Sequence, residues 1–78
     1  MIKLAIIGTG NMAGQQAREF AKLSRVRITA CCDIDAARAQ AFAAEHQIAH
    51  AYSSVRALLA AEQLDALVVS TPSKLHAM

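Results

Sequence analysis

Residues Leu4 to Gly14 read Leu-Ala-Ile-Ile-Gly-Thr-Gly-Asn-Met-Ala-Gly, an apolar run that passes without a linker into a glycine turn. The run begins at Ile2 and ends at Ile7, with β-branched residues at Ile2, Ile6 and Ile7, which suits a parallel strand covered on both faces. Each small residue after it has a steric role. Gly8 permits a tight turn, Gly10 lets the backbone come close to phosphates, and Ala13 lets a helix pack closely on the strand. The helix that follows would present unpaired N–H groups and a partial positive charge to an anion. A Gly-x-Gly-x-x-Ala string is weak evidence when it stands alone. Here a strand precedes it, a helix and a second strand follow, and Asp33 stands where that second strand ends.

Working outward, apolar Met12, Ala13, Ala17, Phe20, Ala21 and Leu23 recur at helical spacing, with Gln15, Gln16, Arg18, Glu19 and Lys22 largely opposite. The spacing predicts one amphipathic helix from about Asn11 to Leu23. Val26 to Cys32 has strand composition. Asp35 is placed to cap a second helix, Ala36 to roughly Glu45, with Ala37, Ala41, Phe42 and Ala44 as its inner stripe. The stretch from His46 to His50 breaks that pattern, and Ala51-Tyr52 reads as a very short third strand. Ser53 or Ser54 caps a third helix from Val55 through Leu58 and Leu59 to about Ala61. Ala66 to Ser70 reads as a fully buried fourth strand, stopped by Thr71-Pro72, and Ser73 opens a last helix. The alternation predicts an α/β fold, a parallel sheet in order 3-2-1-4 with helices on both faces. The ligand crevice falls at the switch point between strands 1 and 4.

Composition bounds the function. Seventy-eight residues make one small domain, and a complete dinucleotide fold normally needs more chain. With 55% apolar and 18% charged residues the chain is a packed globular piece. The net charge of +2 is small and no basic run occurs, which argues against nucleic acid as a partner. Cys31 and Cys32 are adjacent, so on a strand they point to opposite faces. That disfavours a disulfide or a metal site and fits a reducing cytoplasm. The N-terminal apolar stretch is too short to span a bilayer and has no cleavage pattern after it. His46 and His50 are four apart, but no carboxylate or cysteine completes a metal set.

In the expected site, Thr9, Asn11 and Met12 donate backbone N–H groups to phosphate oxygens, and their side chains matter less. Asp33, roughly 20 residues beyond the glycines, can accept both hydroxyl hydrogens of an adenosine ribose. Its alternative role as a helix cap is better served by Asp35. The Asp33 charge repels a 2′-phosphate, which favours NAD over NADP, whereas Arg38, one turn into the second helix, could turn toward such a phosphate. Ser70, Thr71 and Pro72 form the rim of the crevice, and His76 could reach the cofactor from the start of the next helix.

Three motifs in order, Ile6-Ile7-Gly8-Thr9-Gly10-Asn11-Met12, Cys32-Asp33-Ile34-Asp35 with Arg38-Ala39, and Val68-Val69-Ser70-Thr71-Pro72 with Leu75-His76-Ala77, resemble the N-terminal part of the Gfo/Idh/MocA oxidoreductases. The resemblance covers essentially the whole chain. It implies a Rossmann-like dinucleotide-binding domain, here residues 1–78 as its N-terminal part, with a C-terminal substrate domain absent. It also implies NAD(P)-dependent hydride transfer at a carbon of a sugar, cyclitol or related secondary alcohol. Cofactor contacts carry over onto Gly8, Gly10, Asn11, Met12, Asp33, Thr71, Pro72 and His76. Ile34, next to Asp33, is counted with them. No catalytic residue carries over, because the family's Glu-Lys-Pro motif would lie beyond Met78, and Lys74 does not match it. On its own the piece is expected to bind dinucleotide and turn nothing over. Self-association through an open strand edge is also expected. Gly8-Thr9-Gly10-Asn11-Met12-Ala13 is also similar to pyrroline-5-carboxylate reductases, a reading that tighter NADP than NAD binding would favour. A non-catalytic nucleotide-sensing module would need a partner surface, and the sequence shows no exposed apolar stripe to supply one.

Overall fold

The computed structural model describes residues 1–70. Four strands, β1 (Ile2–Ile7), β2 (Val26–Cys32), β3 (His50–Tyr52) and β4 (Ala66–Val69), form one parallel sheet in the order β3-β2-β1-β4. Three helices, α1 (Asn11–Ala21), α2 (Ala36–His46) and α3 (Val55–Ala61), connect them. The predicted order and the covering of both faces hold. Ala13 and Ala17 of α1 and Phe42 and Ala43 of α2 pack with Leu4, Ile6 and Cys31 on one face. Leu58 of α3 packs with Ala5, Ala30 and Cys32 on the other. Cys31 and Cys32 therefore do enter opposite faces, and both are free thiols.

Local chemistry sets the helix limits. The Asp35 side chain accepts hydrogen bonds from the N–H groups of Ala37 and Arg38, and Ser54 Oγ accepts from Ala57 N–H, so both act as N-caps. Gln47 closes α2 in the left-handed conformation at φ 57°, and the Ile48 N–H returns to the Ala43 carbonyl at 2.8 Å. α1 is the exception, because its cap position, Gly10, has no side-chain hydrogen bond.

Three expectations need correction. The inner stripe of α2 is Ala39, Phe42 and Ala43, not Ala37, Ala41 and Ala44, which are exposed. An alanine-rich helix leaves its phase ambiguous, and Phe42 together with the Ala39 carbonyl that accepts from Cys31 Sγ fixes it. Gln16 is half-buried on the inner side of α1, between Ala13 and Ala17, not on its outer face. β4 is not fully buried: Leu67 and Val69 are 42% and 53% exposed, since α3 lies over β2 and β3 and leaves that face of β4 uncovered among the described residues.

A β-bulge at Thr29 tunes the sheet. Leu4 pairs with Ile28 but Ala5 pairs with Ala30, so one extra residue in β2 shifts the register. The shift brings Cys32 level with Ile7, and therefore Asp33 level with the glycine turn. Thr29 Oγ1 is the only buried side-chain polar atom without a partner among the described residues.

Candidate functional site

The carboxyl ends of the strands meet at one rim. The Gly8 N–H donates to the Cys32 carbonyl at 2.7 Å, the Asp33 N–H to the Tyr52 carbonyl at 3.0 Å, and the Ser70 N–H to the Ile7 carbonyl at 2.7 Å. These bonds knit the tips of β1, β2, β3 and β4 before any side chain is considered. Gly8 has φ 93°, in the left-handed region that L residues with a side chain avoid, so the turn needs glycine here for its own backbone.

Gly10 is different. Its φ is an ordinary −79°, and a Cβ built there meets only a guanidinium nitrogen of Arg38, at 3.9 Å. The fold would tolerate a side chain at this position. At Gly14 a Cβ would likewise make only ordinary contacts, with Arg18 and His46 side-chain nitrogens at 3.7 and 3.9 Å. Over Gly10, then, stands only the far end of the flexible Arg38 side chain, beside the uncapped start of α1, where Asn11, Met12 and Ala13 have no capping side chain for their N–H groups.

Asp33 is brought to this loop as its sequence position predicts, but it is already engaged there. Oδ2 accepts the Thr9 N–H at 3.1 Å and the Thr9 hydroxyl at 2.6 Å, while Oδ1 accepts the Asp35 N–H at 2.9 Å. Partial burial pushes the carboxyl pKa up, but the Thr9 hydroxyl, the two N–H donors and nearby Arg38 outweigh it and hold the group below the ordinary aspartate value. The Thr9 side chain thus matters more than the sequence suggests, and in this conformation its N–H points to Asp33. Ile34 is 95% exposed beside Asp33, and Met12 is largely exposed on the first turn of α1.

Ser70, expected at the crevice rim, is buried at the end of β4, and its hydroxyl donates to Gln16 Oε1 of α1. That contact ties the end of β4 to α1. The signal for it was a polar residue within an otherwise apolar helix stripe. Thr71, Pro72 and His76, and the helix expected from Ser73, lie outside the described residues.

Two cavities flank the sheet. A polar groove of about 390 Å³ between α1 and α2 borders Thr9 and Gly10. A larger one of about 470 Å³ lies at the opposite, amino end of the strands, lined by Lys3, Arg27, Thr29, His50 and Glu62. Size does not decide between them, since the glycine turn and the first turns of α1 border the first, and Asp33 is bonded to Thr9 at its rim. Near the second, Glu62 Oε2 accepts from the Tyr52 hydroxyl at 2.5 Å and faces His50 Nδ1 at 3.0 Å, a link between α3 and the edge strand that the sequence did not announce. Among the described residues no group of three or more His, Cys, Asp or Glu could hold a metal, and no helix is long and apolar enough to cross a membrane.

Comparison with known proteins agrees with this fold. Residues 2–78 match the Gfo/Idh/MocA family, an oxidoreductase family with an NAD-binding Rossmann fold. The scyllo-inositol 2-dehydrogenase (NADP(+)) IolU of Bacillus subtilis (strain 168) is 36% identical over 76 residues, covering 97% of this chain and 23% of that protein. Among solved structures, the WlbA dehydrogenase from Bordetella pertussis in complex with NADH and UDP-GlcNAcA superposes with a TM-score of 0.87 at 30% identity, covering 96% of this chain and 23% of that one. An oxidoreductase from Agrobacterium radiobacter in complex with NAD+, L-tartaric acid and magnesium gives 0.86 at 28% identity, covering 96% and 22%. The chain thus spans less than a quarter of the length of these relatives.

Proposed function

The chain belongs to the Gfo/Idh/MocA oxidoreductases, and we propose on that premise that it is the cofactor-holding part of an enzyme moving hydride between a nicotinamide dinucleotide and a secondary alcohol carbon of a sugar, cyclitol or related compound. The relatives named above, one an inositol dehydrogenase and one solved with a nucleotide sugar, support that substrate class. The observation that carries the reading is Gly10. Nothing in the fold requires a glycine there, so the missing side chain serves whatever approaches the loop.

The residues fit a dinucleotide. Gly8 and Gly10 shape the seat, and the first N–H groups of α1, at Asn11 and Met12, face the diphosphate. Asp33 accepts from the neighbouring ribose, with Thr9 bracing it, and Ile34 offers an apolar surface beside that sugar. Ser70 lines the crevice, and Thr71, Pro72 and His76 complete the set as the resemblance implies. When bound, the cofactor supplies the hydride at its nicotinamide ring, and the chain's task is to hold and orient it. An anionic Asp33 next to the ribose favours NAD, with NADP the weaker ligand.

No catalytic acid or base is assigned within this chain. Residues 1–78 are the N-terminal part of the dinucleotide-binding domain in this reading, and the substrate meets a further domain. A reducing, cytoplasmic setting suits the two buried free thiols. The half-exposed Leu67 and Val69 on edge strand β4 support self-association of this piece, which sedimentation should register as a weight-average mass rising with concentration. The decisive test is Gly10→Val. The variant should fold as the parent does yet lose NADH binding, followed through the nicotinamide fluorescence, by at least about tenfold, since its side chain fills the space over the loop. Undiminished binding would count against the site.

A further inference from the structure

Three donors converge on the Asp33 carboxylate, and their placement decides what a ribose can find there. A carboxylate offers about four lone-pair sites, two on each oxygen. Both sites on Oδ2 are taken by Thr9, one by its N–H and one by its hydroxyl, and one on Oδ1 is taken by the Asp35 N–H. One acceptor site remains, on Oδ1. A ribose that offers two hydroxyl hydrogens therefore finds half the acceptors it could use. Of the three donors, two are main-chain N–H groups fixed by the turn, and only the Thr9 hydroxyl can be removed by a change of side chain.

Arg38 stands on the same side. Its guanidinium reaches over the loop, with one nitrogen 3.9 Å from where a Cβ on Gly10 would lie, and it has no carboxylate within ion-pair distance among the described residues. A 2′-phosphate arriving here meets a carboxylate whose charge is already shared among three donors, and a guanidinium with no carboxylate of its own to hold.

We propose that the Thr9 hydroxyl is the specificity-determining group of the site: by occupying Asp33 Oδ2 it weakens the hold on an unmodified ribose and lets the loop accept NADP as well as NAD. The inference rests on the dinucleotide reading given above and assigns Thr9 a role through its side chain. Removing the hydroxyl together with the space it fills frees one acceptor for the ribose, which helps NAD, and exposes the carboxylate's charge, which hinders NADP, whereas a valine methyl in the hydroxyl's place would keep that acceptor covered.

The test compares NADH and NADPH titrations, each followed by nicotinamide fluorescence, for the parent protein, Thr9→Ala and Thr9→Ser. The parent should bind both dinucleotides. In Thr9→Ala the ratio of the NADPH to the NADH dissociation constant should rise by at least about tenfold, near the lower end of what one hydrogen bond to a charged group supplies, and Thr9→Ser should restore the parental ratio. The Asp33 carboxyl, followed by carbon NMR, should titrate higher in Thr9→Ala than in the parent, which reports loss of the bond independently of any ligand. If Thr9→Ala does not fold, Thr9→Gly is read in the same way. An unchanged or reduced ratio in a folded variant overturns the role of Thr9 while parental NADH binding keeps the dinucleotide reading. Failure of the parent to bind either dinucleotide overturns both.

Discussion

The Gly8 N–H donates to the Cys32 carbonyl at 2.7 Å, so the turn that leaves β1 is hydrogen-bonded to the last residue of β2, immediately before Asp33. Because Gly8 holds φ 93°, a side chain at this position would strain the backbone or release that bond. Gly8→Ala should therefore destabilise the protein by about 1–2 kcal/mol. In urea the unfolding midpoint should drop with the slope unchanged; an undisturbed midpoint would show that the turn relaxes without penalty.

Asp33 makes stability depend on acid. Its folded pKa lies below the ordinary value of 3.8, despite the upward push of burial, because Thr9, the Asp35 N–H and Arg38 favour the charged form. The unfolded chain binds the proton more readily, so the contribution is complete above about pH 3.8 and is lost as pH falls below that value toward the folded pKa. Solvent around this half-buried group keeps the effect modest. Asp33→Asn should flatten the pH dependence of the urea midpoint between neutral and acid pH relative to the parent. Parallel curves for the two proteins would place the acid sensitivity elsewhere.

Much of this was legible in the sequence because its signals are local. Glycine at 8 and 10, Asp35 and Ser54 before their helices, and β-branched runs at strand length each act within a few residues, and they fixed element order and the position of Asp33. What escaped depends on chain segments far apart in sequence. The Thr9 hydroxyl meets Asp33 across 24 residues, a contact that exists only once the bulge at Thr29 has set the register of β2, and Gln16 meets Ser70 across 54, which requires β4 to pair with β1. The phase of α2 escaped for another reason: alanines mark a helix well and a face poorly, and only Phe42 and the core opposite it choose between Ala39 and Ala41.

The adjacent cysteines should be chemically quiet. Burial pushes the Cys31 thiol up to about 11, with the neighbouring Cys32 and Asp33 adding to it, and burial followed by Asp33 also raises Cys32. Near neutral pH almost no thiolate is present to act as a nucleophile. Reaction with a chromogenic disulfide reagent at pH 7.5 should be slow in the native protein and fast in denaturant. Rapid stoichiometric labelling of the native protein would contradict the burial of both groups.

The neighbouring leucines of α3 give a sharper test of which side of that helix carries the fold. Leu58 is fully buried against Ala5, Ala30 and Cys32 and anchors the whole cluster on its side of the sheet, whereas Leu59 is about half exposed. Truncating Leu58 leaves a cavity against two alanines and a cysteine on the strands, with Ile7, Tyr52 and Leu64 packed around that cluster. Leu58→Ala should cost about 2–4 kcal/mol, and Leu59→Ala less than about 1 kcal/mol. The comparison is made by urea unfolding of both variants, and similar losses would mean that α3 sits on the sheet through a different face than the one described.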